Sequence, residues 1–370
     1  MGGVELRAST LELFFDLVFV FTITQLTSLL ARELWPTGVA QVLLIFVVLF
    51  WMYSGYAWLT NQVPPRSAAR RLLLVAGMAG FFVCALAIPR AFVDTGLAFG
   101  LGYLLVVLVH GGLYAQVHGR GVVRFVPFNV GGALCIVAAS WASGVLAYAL
   151  WAAPVALQYL AAAVTGGVDE SARAGFEIRP AHFVERHGGL LIVALGESVV
   201  GVGMGVADLV LDVSTVSTAV LGLLLAAALW WTYFGADEKQ AEASLTAAST
   251  SDRIRMALVG YFYAFVPMLL GITALAAGVK LTISTIEARL PLIPALLLGG
   301  GIALYLVGDA LFRRTMHIPR STYRVAAGAI ALATILLGSL ISGLAQLVAL
   351  VVTLAVMVAL ESRARAQPVE

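Results

Sequence analysis

Charge is scarce in this sequence. Only 11% of its 370 residues are Asp, Glu, Lys or Arg, less than half the quarter carried by soluble domains, so a large water-facing domain is excluded. Cysteine is scarcer still. Cys84 and Cys135 both lie in apolar runs, where the thiol behaves as a small hydrophobe, and they report neither a disulfide framework nor a metal site. The formal net charge of +2 is small and the basic residues are scattered, so no nucleic-acid partner is expected. An uncharged leader is lacking too: Glu12 and Asp16 interrupt the first apolar stretch, which therefore reads as a retained helix rather than a signal peptide.

What remains is apolar. Hydrophobic residues make up 61% of the chain, with a mean hydropathy of +0.98. Runs of spanning length fall at 10–31, 38–59, 70–89, 92–114, 126–143, 145–164, 182–206, 214–235, 255–278, 291–312, 322–341 and 344–360. At about 20 residues per span they predict an all-α polytopic membrane protein with about 12 transmembrane helices, in contact with membrane lipids. The turns at Ser143-Gly144 and Ser342-Gly343 separate the tightest pairs.

Orientation follows from Lys and Arg on alternate loops. With the N-terminus inside, 18 of the 22 basic residues fall on the cytoplasmic side, and Arg32, Arg90, Lys280 and Arg289 on the other. Both termini are expected to be cytoplasmic.

An internal repeat supports two parallel six-helix repeats. Glu12-Leu13-Phe14-Phe15-Asp16, running to Thr24-Gln25, matches Glu185-Arg186-His187-Gly188-Gly189, running to Glu197-Ser198, at an offset of 173. Trp51-Met52-Tyr53-Ser54-Gly55 matches Trp231-Thr232-Tyr233-Phe234-Gly235 at an offset of 180. The expected division is a first repeat over 1–165, a cytoplasmic linker over 166–180 and a second repeat over 181–362. Six is even, so the halves enter the membrane in the same direction, related by an axis along its normal.

A charge in lipid costs about 2.5–3.5 kcal/mol on insertion scales, so each acid in a span is a functional candidate. Glu12 and Asp16 are four residues apart on one helical face. Ser9-Thr10-Leu11-Glu12 reads as a capping box, which alone accounts for Glu12, and Glu185 follows His182 in the same place in the second half. Asp309 lies within a turn of Arg313 and reads as its ion-pair partner. Asp16 is beyond the reach of a cap and must find a donor inside the bundle. Glu197 lies fifteen residues into its run, among Leu195, Gly196, Val199 and Val200. Polar glue between helices is the alternative reading of both acids. Thr22, Thr24, Gln25 and Ser198 have comparable depth. If the halves face each other, these side chains and the two acids line a central cavity.

Several apparent motifs fail on geometry. His182, Glu185 and His187 cannot gather on one helix, because His187 lies about 140° around from His182. His110, His118 and His317 have no ligand spacing, so neither metal nor cofactor is expected. Gly201-Val202-Gly203-Met204-Gly205 and Gly299-Gly300-Gly301 follow no strand and precede no lysine, and so read as helix-packing surfaces rather than nucleotide loops.

The runs Thr10-Leu11-Glu12-Leu13-Phe14-Phe15-Asp16-Leu17-Val18-Phe19-Val20-Phe21-Thr22-Ile23-Thr24-Gln25, His182-Phe183-Val184-Glu185-Arg186-His187-Gly188 and Leu195-Gly196-Glu197-Ser198-Val199 resemble the bacterial low temperature requirement protein A (LtrA) family over nearly the whole chain. The resemblance implies a multi-pass protein of the bacterial inner (cytoplasmic) membrane and supplies no reaction. Phe15-Asp16 is also similar in style to the Phe-Ser-Asp helix opening each repeat of the endosomal potassium channel family. The serine is missing, and Gly189 stands at the repeat-equivalent of Asp16, so a potassium-selective pore does not carry over.

The leading expectation is a transporter or channel-like protein moving a proton, cation or small cationic solute between the two repeats. Its expected binding or protonation residues are Asp16, Glu197, Gln25, Thr24, Ser198, Glu12, Glu185 and His182. A membrane-embedded enzyme using a buried carboxylic acid on a lipid or isoprenoid-like substrate is the alternative. A scaffold is the third reading, and it expects fully paired acids and no cavity. Substrate, direction and coupling ion are not legible in the sequence, and a homo-oligomer is compatible with it.

Overall fold

The computed structural model describes residues 8–33, 36–65, 67–116, 125–164, 178–206, 210–283 and 285–366. Most of the expected linker, His118, and Arg7, Arg66, Arg120, Arg124 and Arg173 of the charge count lie outside the described residues.

Every regular element among the described residues is helical. The first six helices are α1 (Thr10–Arg32), α2 (Thr37–Gln62), α3 (Ala68–Ala87), α4 (Gly96–Ala115), α5 (Val126–Ala139) and α6 (Gly144–Val164). They are followed by α7 (Pro180–Val206), α8 (Val213–Phe234), α9 (Asp237–Ala247), α10 (Thr250–Leu258), a π-helical turn over Val259–Tyr263 and α11 (Phe265–Thr282). The chain closes with α12 (Leu292–Thr315), α13 (Thr322–Leu340) and α14 (Gly343–Ala366). Eleven helical stretches among the described residues are long and apolar enough to cross a membrane, one fewer than the sequence predicts.

The difference is the run over 126–143. Helix α5 has 14 residues and measures about 21 Å at 1.5 Å per residue, short of the ~30 Å hydrocarbon core. The helix ends at Ala139, and the Ser140 hydroxyl just beyond it donates to the Val137 carbonyl at 2.7 Å. Gly144 then takes a φ of +58°, a left-handed conformation open to glycine at no steric cost.

Large apolar side chains point outward along the helices, among them Phe14, Leu17, Leu72, Leu86, Leu101, Leu108 and Leu336. Such a surface suits lipid rather than water. Asp212 caps α8 by accepting the Thr215 amide at 2.8 Å, and that bond holds its carboxyl below the ordinary range.

The helices gather into two compact units, one formed by most of the chain up to Arg186, the other by His187–Ala248 together with Arg255 onward. In the first, α3, α4, α5 and α6 pack in sequence-adjacent pairs. Gly80 and Gly102 let α3 and α4 meet backbone to backbone, since a Cβ on either would lie under 3.0 Å from the other's carbonyl. In the second, α12 packs between α11 and α13, and α14 lies against α8 and α13. A Cβ at Gly299 would lie 2.6 Å from the Ala331 carbonyl, and one at Gly301 2.7 Å from the Leu275 amide, so these residues are helix-packing surfaces. Gly201 and Gly203 have nothing within 4 Å and make no such contact.

Candidate functional site: a buried ion cluster

The first unit buries both acids of α1 at its N-terminal end. Ser9 and Glu12 form a capping box: the Glu12 Oε2 oxygen accepts the Ser9 amide at 2.8 Å and its hydroxyl at 2.7 Å, and the Ser9 hydroxyl accepts the Glu12 amide at 3.4 Å. Capping uses only half of the carboxylate. Glu12 Oε1 lies 3.0 Å from His182 Nε2 in the first turn of α7. His182 Nδ1 lies 3.1 Å from Asn61 Nδ2 near the end of α2, and Asn61 makes two bonds of 3.0 Å with the Arg179 backbone.

One turn deeper, Asp16 accepts the Tyr53 hydroxyl at 2.7 Å. Arg186 Nη1 lies 3.0 Å from its Oδ1 and 3.1 Å from its Oδ2, and also donates to the Glu12 carbonyl. The guanidinium sits beside the Phe15 and Tyr53 rings, 6.0 and 5.9 Å from their centroids, a cation–π setting. Asp16 and His182 are fully buried and Glu12 is 2% exposed. The required partner for Asp16 is thus Arg186 with Tyr53. Two carboxylates face a single permanent cation.

The other expected residues are placed as follows. Glu185 is half-buried and accepts the Ala8 amide at 2.8 Å, so it ties down the approach to α1 instead of capping its own helix. Thr24 and Gln25 are half-buried in α1, with the Thr24 hydroxyl turned to the Val20 carbonyl at 3.3 Å. The Thr22 hydroxyl is buried with no hydrogen-bond partner among the described residues. Glu197 is half-buried, and Ser198 is buried with its hydroxyl 3.4 Å from the Ala194 carbonyl; both belong to the second unit.

A second ion network occupies that unit. Arg324 on α13 grips Glu361 on α14 through Nε at 2.6 Å and Nη2 at 2.8 Å, bonds Asp309 on α12, and lies 3.5 Å from Asp237. Arg313 reaches Glu361 at 2.8 Å and Asp237 at 3.3 Å, and Arg365 reaches Asp237 at 3.1 Å. Asp309 therefore pairs with Arg324 of the next helix and not with its near neighbour Arg313. Three acids meet three arginines, so this network is balanced.

Sequence reasoning missed Arg186, Tyr53 and Asn61 as site residues. Arg186 carried a signal, because an arginine four residues into an apolar run is as costly as the acids it meets. In the count of basic residues it reads instead as cytoplasmic loop charge.

Length, apolar surface and buried ion clusters together define a polytopic α-helical membrane protein. A family model described as "Bacterial low temperature requirement A protein (LtrA)" matches residues 7–360, and the chain belongs to that family. It is also similar to an uncharacterized protein of Rhizobium meliloti (strain 1021), 28% identical over 284 residues that span 74% of this chain and 69% of that protein.

Proposed function

We propose that this protein is a transporter or channel-like protein of the bacterial inner membrane that moves a proton or small cationic solute, with the Glu12–Asp16–His182–Arg186 cluster as its binding or protonation site. In this reading residues 1–165 and 181–362 are two parallel six-helix repeats and both termini are cytoplasmic, which puts the cluster near the cytoplasmic ends of its helices. Thr24 and Gln25, deeper on the helix that carries Asp16, are assigned to the same path, Glu185 to its cytoplasmic mouth, and Glu197 and Ser198 to a polar position of the second unit whose part in transport is tested separately.

The observation that carries the proposal is the charge imbalance. Two buried carboxylates share one permanent cation, Arg186, and the Asn61 Nδ2 donor 3.1 Å from His182 Nδ1 leaves no room for a second ring hydrogen on the histidine, whereas the second network has equal numbers of both signs. A balanced buried network is a sufficient structural device; an unbalanced one retains an excess charge whose desolvation has no return within the fold. Mobile positive charge relieves it, as in the acid relays of membrane pumps.

The test is ion flux in proteoliposomes under an imposed pH gradient or with small cations. Wild-type protein should carry flux, and Asp16→Asn should reduce it to that of protein-free vesicles while the protein still elutes as a single folded species. Equal flux for Asp16→Asn and wild type removes the cluster from the path, and the same comparison with Glu197→Gln tests that residue.

A further inference from the structure

Resting on the reading above, we infer that the species exchanged at this cluster is a proton, that it is taken by the Asp16 carboxylate rather than by His182, and that Asn61 is the positioning residue enforcing that choice.

Asn61 is held at both ends of its amide by the backbone of one residue. Its Oδ1 accepts the Arg179 N–H and its Nδ2 donates to the Arg179 carbonyl, each at 3.0 Å. These bonds run in opposite senses, so they fix which end of the amide is nitrogen. A flip would set carbonyl against carbonyl and N–H against N–H. One Nδ2 hydrogen goes to Arg179, and the other points along the 3.1 Å contact to His182 Nδ1. A donor aimed at Nδ1 requires a bare lone pair there. The single ring hydrogen then lies on Nε2 and is donated to Glu12 Oε1 at 3.0 Å. An imidazolium would need a second N–H pointing at the Asn61 N–H, so His182 is held neutral.

With histidine neutral, Glu12, Asp16 and Arg186 leave one negative charge uncompensated among the described residues, in a site where none of the four side chains exceeds 3% exposure. A metal cation is a poor match. Each carboxylate is already approached by N–H or O–H donors, which would face a metal with their positive ends, whereas hard cations demand several free oxygens at about 2.0–2.6 Å. A proton needs one lone pair.

Asp16 is the acceptor by count of donors, since it takes two hydrogen bonds, from the Tyr53 hydroxyl and Arg186 Nη1, against three at Glu12. Glu12 takes three hydrogen bonds, from His182 and from the Ser9 amide and hydroxyl, and lies in the first turn of α1, where the helix dipole favours its anion. Asp16 is one turn further in, and the titratable and charged groups facing it are Tyr53 of α2, His182 and Arg186 of α7, and Glu12 of its own helix. Arg186 supplies the means of exchange. Its Nε has no hydrogen-bond partner among the described residues and lies 4.0 Å from Glu12 Oε1. When Asp16 gains a proton, the guanidinium swings the remaining distance to Glu12, and loss of the proton returns it.

Two spectroscopic measurements on the full protein in lipid test this. Nitrogen-15 NMR of labelled histidine should show His182 singly protonated on Nε2 in the wild type throughout the pH range of flux, and doubly protonated in Asn61→Asp, which keeps the acceptor for Arg179 and replaces the donor facing Nδ1. Infrared difference spectra across the same range should show a protonated-carboxyl C=O band that is lost in Asp16→Asn and kept in Glu12→Gln. An imidazolium signal in wild type, or a band that survives Asp16→Asn, overturns the inference even where flux is intact. If the band and the neutral histidine are found but wild-type vesicles carry no flux, the inference stands and the transport reading fails. Binding of sodium or potassium ions that disappears in Asp16→Asn with no carboxyl band overturns the proton in favour of a metal ion.

Discussion

At the scale of single residues, the two ion networks look alike and differ in what their loss should do. Arg324 is 1% exposed and serves Glu361, Asp309 and Asp237 together, with a backbone bond of 3.2 Å to the Thr232 carbonyl. Its planar fork meets Glu361 through two nitrogens, a geometry that lysine does not reproduce. Arg324→Ala leaves three acids facing two arginines in a buried setting, and breaking a buried pair in this way costs about 3–5 kcal/mol. Thermal unfolding in detergent should show a large drop in midpoint for Arg324→Ala and a smaller one for Arg324→Lys. Equal midpoints for Arg324→Ala and wild type would mean that the network carries no stability.

At the scale of elements, α11 and α12 are joined by glycine on both sides. A Cβ at Gly271 would lie 2.6 Å from the Gly301 carbonyl, one at Gly278 2.9 Å from the Leu298 amide, and one at Gly308 2.6 Å from the Ala264 carbonyl. Small residues let membrane helices approach this closely, and van der Waals packing replaces the hydrophobic effect that lipid removes. Gly271→Val should cost about 1–3 kcal/mol through overpacking, while Gly300→Ala, with nothing within 4 Å, should unfold like wild type in the same thermal assay. The helices themselves were legible, because spanning length and apolar composition are local properties: α1, α7 and α13 fall within a few residues of the expected runs. Three features were not legible. The π turn over Val259–Tyr263, closed by the Ala264 amide on the Val259 carbonyl at 2.9 Å, leaves no mark in hydropathy. The early end of α5 at Ala139 falls inside a run that continues through Trp141 and Ala142, so hydropathy does not mark it. The pairing of Asp16 with Arg186 joins residues 170 positions apart, and a carboxylate's need for a donor does not say which helix supplies it.

At the scale of the whole molecule, the short helix α5 decides where the C-terminus lies. If α5 crosses the membrane, the eleven longer stretches and α5 make twelve crossings, and the 22 basic residues divide 18 to 4 in favour of the cytoplasm. If it does not, every later loop changes side, and the same residues divide 8 to 14, against the bias that sets orientation. A helix of about 21 Å can still cross if the bilayer thins around it or the flanking segments complete the span, each at a modest cost per ångström. That cost is smaller than moving Arg313, Arg314, Arg320, Arg324, Arg363 and Arg365 to the other face. A reporter active only in the cytoplasm, fused after residue 366, should therefore be active, as should one inserted between α4 and α5. Activity at the second position together with silence at the first would show that α5 turns back within the membrane, and the parallel arrangement of the two halves would fall with it.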